Sequence, residues 1–131
     1  MWGGAEENAA LLRRYLEALS QDDMETVREA FAEDAVWHLP GNSPLAGDHK
    51  GPDAILEFIG RSFEMTGGTF RLELLDVMAS DEHGVQWQRI TAERDGKSLD
   101  EVEAIVCRIG DGKIEVVWHR PDQYALDEFF S

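Results

Sequence analysis

Glu103 and His119 are the two side chains in this sequence best suited to moving a proton, and each stands in an apolar alternating run, SLDEVEAIVCRI and KIEVVWHR. A strand rich in Val and Ile desolvates a carboxylate and penalises its charged form, whereas an imidazole titrates near neutrality without help. Such a pair can pass a proton to a substrate or back from it. Gln86 and Gln88, two apart in GVQWQRITAER, share one strand face and can orient a ligand. The other candidates are poorer. Cys107 stands alone in an alternating apolar run and reads as a small buried hydrophobe. His38, His49, His83 and His119 are scattered, with no HxxxH pair and no cysteine cluster, so we expect no metal. Trp37 and His38, adjacent in AVWHLPGNSPLAGDHKG, resemble a catalytic pair only until strand geometry sends them to opposite faces.

Something must position these groups. With 131 residues, 43% of them hydrophobic and 30% charged, the chain has the size and composition of one soluble domain, residues 1–131. It has no bilayer-length apolar run, and MWGGAEENAALLRRYLEAL lacks the pattern of a secretory signal, so we expect a cytoplasmic protein. A net charge of −15 without a Lys/Arg cluster repels phosphate backbones and anionic lipid, which argues against nucleic-acid or membrane partners.

Leu12, Tyr15, Leu16 and Leu19 recur at helical spacing and predict an amphipathic helix over about residues 6–20, with Tyr15 pointing inward. Asp22 followed by Glu25 resembles a capping box, and Met24, Val27 and Phe31 stripe a second helix ending near Glu33. A short strand follows over 35–39, then the turn-rich loop PGNSPLAG. Pro52 and Asp53 open a third helix with Ile55, Leu56, Ile59 and Phe63 on its buried face, closed by Gly67 and Gly68. Four strand-like runs come next, and Asp95-Gly96 and Asp111-Gly112 mark hairpins within them. About three N-terminal helices before a mostly antiparallel sheet make an α+β fold.

This order resembles the cone-shaped fold of nuclear transport factor two, scytalone dehydratase, ketosteroid isomerase and the SnoaL-like polyketide cyclases. FAEDAVWHLPGNSPLAGDHKGPDAILEF, TAERDGKSLD and VVWHRPDQYALDEFFS are similar to SnoaL-like sequences around the first strand and third helix, the central hairpin and the closing strand. The resemblance implies a strongly curved sheet enclosing a pocket against the helices. It also places Tyr15 where ketosteroid isomerase keeps its oxyanion-hole tyrosine, Leu39 where that enzyme keeps its general base, and Ile105 where it keeps a protonated aspartate. Neither Leu nor Ile can move a proton, so ketosteroid isomerase activity is rejected.

The same alignment implies strand parity. Trp37, Leu39, Gln86, Gln88, Ile90, Glu103, Ile105, Cys107, Val117 and His119 should face inward, and His38, Trp87, Arg89 and Trp118 outward. We therefore expect Glu103, His119 and Tyr15 to be catalytic, with Trp37, Leu39, Gln86, Gln88, Ile90, Ile105 and Val117 contacting a small apolar or aromatic ligand. The chemistry would be cofactor-independent cyclase, isomerase, dehydratase or hydrolase chemistry. Asp122 is a secondary candidate from the tail, with capping as its simpler role; Tyr124, Leu126, Phe129 and Phe130 read as an apolar lid or dimer contact. The alternative to an enzyme is a hydrophobic ligand-binding or dimerisation module, in which Glu103 merely pairs with His119 or accepts from Gln88. The outward aromatic surface suits a homodimer. An epoxide hydrolase of the limonene type needs an inward arginine that this parity does not supply.

Overall fold

In the computed structural model, which describes residues 4–131, α1 (Ala5–Ser20) buries Leu11, Leu12, Tyr15, Leu16 and Ala18 and turns Arg13, Arg14 and Glu17 to solvent. The first three residues of the expected 1–131 domain, and of the stretch read for a secretory signal, lie outside the described residues. The chain leaves α1 through Asp22 at φ 57°, and α2 (Met24–Glu29) is capped by Asp23, which accepts from the Thr26 amide at 3.2 Å. The cap is thus one residue later than the Asp22–Glu25 spacing suggested. The second helix also stops earlier than its apolar stripe implied. Ile114 donates its amide to the Ala30 carbonyl at 2.8 Å, and Phe31 pairs with Ile114 as the first residue of β1 (Phe31–Leu39). A ladder with a distant strand has overridden local helical periodicity.

After the loop over 40–46 comes β2 (Gly47–Lys50), antiparallel to β1 with Trp37 opposite His49. The turn-rich stretch is therefore the tip of a wide hairpin, and the short, polar GDHK run carried no alternation to announce a strand. Leu45, 2% exposed, plugs the loop into the core. In α3 (Pro52–Met65) the buried stripe is Ile55, Phe58, Ile59 and Ser62, rotated slightly from the expected one, leaving Leu56 and Phe63 half-buried.

The four remaining strands form a meander: β3 (Arg71–Ala79), β4 (His83–Arg94), β5 (Lys97–Gly110) and β6 (Lys113–His119). Both expected hairpins are present. Asp95 and Gly96 sit at φ 50° and 78°, and Asp111 and Gly112 at 52° and 73°, the paired positive values of a type I′ turn. The sheet order is β2-β1-β6-β5-β4-β3, antiparallel throughout except for β1 against β6. Register shifts between Leu74 and Asp76 and between Arg108 and Ile109 are the irregularities that let an antiparallel sheet bend. Helices α1 and α3 cover the concave face, and Leu12, Val27, Ile55 and Ile114 lie at the centre of the core. Among the described residues no helix is long and apolar enough to cross a membrane.

The tail forms a fourth helix, α4 (Gln123–Phe130), where the sequence suggested only a turn. Asp122 caps it by accepting from the Ala125 amide at 3.0 Å, the simpler of its two expected roles. Asp127 accepts from the Asn42 and Ser43 amides, while Lys97 and Arg94 donate to carbonyls at the helix C-terminus. Leu126, Phe129 and Phe130 are buried, but Tyr124, 81% exposed, belongs to no lid.

Candidate active site

Strand alternation decides which side chains meet inside the cone. In the β4–β5 ladder Gln88 stands directly opposite Glu103, and Gln86 opposite Ile105. Ile105 in turn faces His119 across β5–β6, so His119 is the diagonal neighbour of Glu103. On the far side of β6, Trp37 is in register with Val117, again one diagonal step from His119.

These steps produce one continuous row of hydrogen bonds. Gln86 Nε2 donates to Gln88 Oε1 at 2.7 Å, and Gln88 Nε2 donates to Glu103 Oε1 at 2.9 Å. His119 Nε2 lies 3.2 Å from both Glu103 oxygens, and the Trp37 indole Nε1–H is 3.3 Å from His119 Nδ1. An indole N–H can only donate, so Nδ1 accepts and the imidazole proton sits on Nε2, aimed at the carboxylate. Glu103 is 6% exposed and His119 8%, and both Glu103 oxygens and both His119 ring nitrogens have partners.

The row borders a cavity of about 70 Å³. Trp37, Leu39, Gln86, Gln88, Ile90, Glu103, Ile105 and His119 line it from the strand faces that parity gives them, and Tyr15 lines it from the apolar stripe of α1. Val117 does not: it is buried 3% exposed in the layer where β1, β5 and β6 meet, and Cys107 lies in the same layer. Asp122 is likewise not part of the lining. Sequence reasoning missed Phe58 and Ser62 of α3 and Phe70 and Leu72 at the start of the meander as walls, whereas Leu126 and Phe130, read as an apolar lid or dimer contact, line the cavity from α4. Phe58 follows from the i, i+3, i+4 stripe that begins at Ile55, and Leu126, Phe129 and Phe130 repeat that spacing in the tail.

Burial holds the Tyr15 hydroxyl well above the ordinary phenol range, with the nearby Cys107 thiol adding to the effect. Among the described residues that hydroxyl has no hydrogen-bond partner, which leaves a donor free at the wall. The Cys107 thiol is pushed up to about 11 by burial, a hydrogen bond from Gly84 partly opposing this. In the unfolded chain the thiol ionises near its ordinary value of 9.0, so between 9 and 11 the folded state binds more protons and stability falls as pH rises. The loss should total about 2 kcal/mol by pH 11, with Tyr15 steepening it above 10. Urea unfolding of the wild type and Cys107→Ala at pH 8 and pH 11 reads this. A variant that loses as much stability as the wild type would remove the thiol from the account.

On the outer face His38 pairs with Asp48 at 2.7 Å, and Arg89 forms a two-point ion pair with Asp100. Arg108 meets Glu115 there as well. Trp87, Val102 and Val106 stay 45%, 56% and 37% exposed on the same face. Among the described residues no three His, Cys, Asp or Glu converge as a metal site.

Comparison with known proteins fits this architecture. The model of the SnoaL-like domain matches residues 12–121. Uncharacterised proteins of Mycobacterium bovis and Mycobacterium tuberculosis are 32% identical over 105 residues, covering 79% of this chain and 80% of theirs. Bal32a, from a soil-derived mobile gene cassette, is 44% identical with a TM-score of 0.91, over 97% of this chain and 98% of its own. An NTF2-like protein from Burkholderia xenovorans LB400, 19% identical with a TM-score of 0.85 over 98% and 99% of the two chains, shares the fold.

Proposed function

From the fact that this chain belongs to the SnoaL-like domain family, we propose that it is a small-molecule enzyme acting on an apolar or aromatic substrate by cofactor-independent acid/base chemistry. One observation carries this reading: a carboxylate, Glu103, is held in an apolar cavity against an imidazole of fixed tautomer, beside the Tyr15 hydroxyl, which has no partner among the described residues. Glu103 takes a proton from the substrate, and His119 supports its return at a second position. Tyr15 donates to the oxygen on which negative charge develops, while Gln86 and Gln88 fix the substrate's orientation. Cyclase, isomerase, dehydratase and hydrolase steps all use these parts. The limonene-type epoxide hydrolase scheme has less support, because Arg89 and Arg108 spend their charge on outer-face carboxylates.

The cavity is small beside the roughly 300–1,000 Å³ of ordinary ligand pockets, so a ring-sized substrate enters only as wall side chains give way. The test needs no knowledge of the natural substrate. Aromatic ketones of one and two rings are incubated in deuterium oxide, and loss of α-proton signal is followed by nuclear magnetic resonance. Exchange above the buffer rate for at least one ketone is expected; buffer rates for all of them would overturn the reading.

A second reading, a non-catalytic hydrophobic ligand-binding module, draws on the Gln88 and His119 donors, which give both Glu103 oxygens a partner without any substrate. Retention of a hydrophobic molecule without exchange would favour it. We also infer that the outer face pairs two copies of the chain, because Trp87, Val102 and Val106 form an exposed apolar strip between the Arg89–Asp100 and Arg108–Glu115 ion pairs. Sedimentation equilibrium should give twice the chain mass, and Trp87→Glu should give the single mass. A wild-type monomer at tens of micromolar would refute the pairing.

A further inference from the structure

We propose that the cavity is built for an organic cation, an ammonium group carried on an apolar or aromatic body. This rests on the reading above that the cavity is the ligand site, and adds the charge its occupant must bear.

The walls include six aromatic rings, those of Tyr15, Trp37, Phe58, Phe63, Phe70 and Phe130. Aromatic faces carry negative potential and attract cations, most effectively where water is excluded. The polar part of the lining has the same sign. Glu103 is its one carboxylate, and no Lys or Arg is among the lining residues.

The hydrogen-bond row sharpens the argument. Glu103 receives an amide from Gln88 and the Nε2–H of His119, whose Nδ1 is occupied as an acceptor for Trp37. Both donors are neutral groups, so the carboxylate is hydrogen-bonded without being neutralised. Oε1 takes Gln88 and shares His119, whereas Oε2 has only the shared imidazole contact at 3.2 Å and retains room for a further donor. An ammonium would supply the missing positive charge and a strong, charge-assisted hydrogen bond together. A carboxylate or phosphate ligand would instead place two anions in one apolar cavity, where repulsion is poorly screened.

Two probe series test the proposal, one on a propyl and one on a benzyl skeleton, each ending in an ammonium, a hydroxyl or a carboxylate. Titration calorimetry at pH 7 and 0.15 M salt measures affinity, and the shift of the Trp37 indole N–H resonance locates binding. The ammonium should bind about tenfold or more tightly than the alcohol of the same skeleton, with the carboxylate weakest. In Glu103→Gln that ratio should fall to about one, which separates recognition by Glu103 from general attraction to an acidic protein. Alcohols or carboxylates binding as tightly as ammoniums would overturn the proposal while leaving the cavity a ligand site. A ratio retained in Glu103→Gln would also overturn it. Failure of all six to bind would overturn both readings, and the wild-type ratios decide the matter even if the variant does not fold.

Discussion

Glu103→Gln is expected to slow deuterium exchange of any ketone the protein accepts by roughly two to four orders of magnitude, the usual effect of removing a general base. The substitution keeps the shape of the side chain and removes only its capacity to take a proton. It also leaves the fold a way to satisfy every buried group. With an amide at 103, its oxygen can accept from His119 while its nitrogen donates to Gln88 Oε1; Gln88 then reverses and donates toward Gln86, so the whole row inverts. Thermal unfolding should therefore stay within a few degrees of the wild type, and affinity for a neutral alcohol should be retained. A folded variant with undiminished exchange would remove Glu103 from the mechanism and leave His119 to be tested alone.

The largest effect on stability is expected at Trp37. Its ring is 5% exposed, packs 5.2 Å from Phe58 and 6.4 Å from Phe31, and meets the His119 ring edge-on at 5.7 Å. Trp37→Ala removes these contacts, enlarges the cavity, and takes away the donor that fixes the His119 tautomer. Such truncations cost about 3–5 kcal/mol, a large share of the roughly 5–15 kcal/mol that holds a domain together. Tyr124→Ala, on the exposed side of α4, should change stability by less than about 0.5 kcal/mol. Urea unfolding of the two variants beside the wild type gives both values, and a Trp37→Ala loss below about 1 kcal/mol would show that the cavity wall collapses around the gap.

Strand parity was the part of the site most legible in the sequence. The resemblance sets Leu39 and Ile105 inward and with them the parity of each strand, and alternation then puts Gln86, Gln88, Glu103 and His119 on the concave face, where a slip of one residue would turn a strand's whole set outward. Alternation says nothing about depth along the cone, however, and so Val117 was grouped with the cavity although it lies in a layer beside it. Phe31 shows the opposite weakness. Its spacing from Met24 and Val27 is helical, and only the pairing with Ile114, invisible to any local window, makes it a strand residue. The same holds for β2, whose GDHK run becomes a strand because β1 offers an edge.

The parallel pairing of β1 with β6 also governs the order in which structure accumulates. Strands β3 to β6 can zip together through adjoining turns, whereas Val36 must find Val116 across most of the chain before the sheet is complete. Closing so long a loop costs entropy that its contacts return only afterwards, so we expect the docking of β1 to be the slow event in folding. During synthesis β1 emerges well before β6 and waits for it. Until then one edge of β1 lacks its partner, and a nascent chain is exposed to pairing with its neighbours.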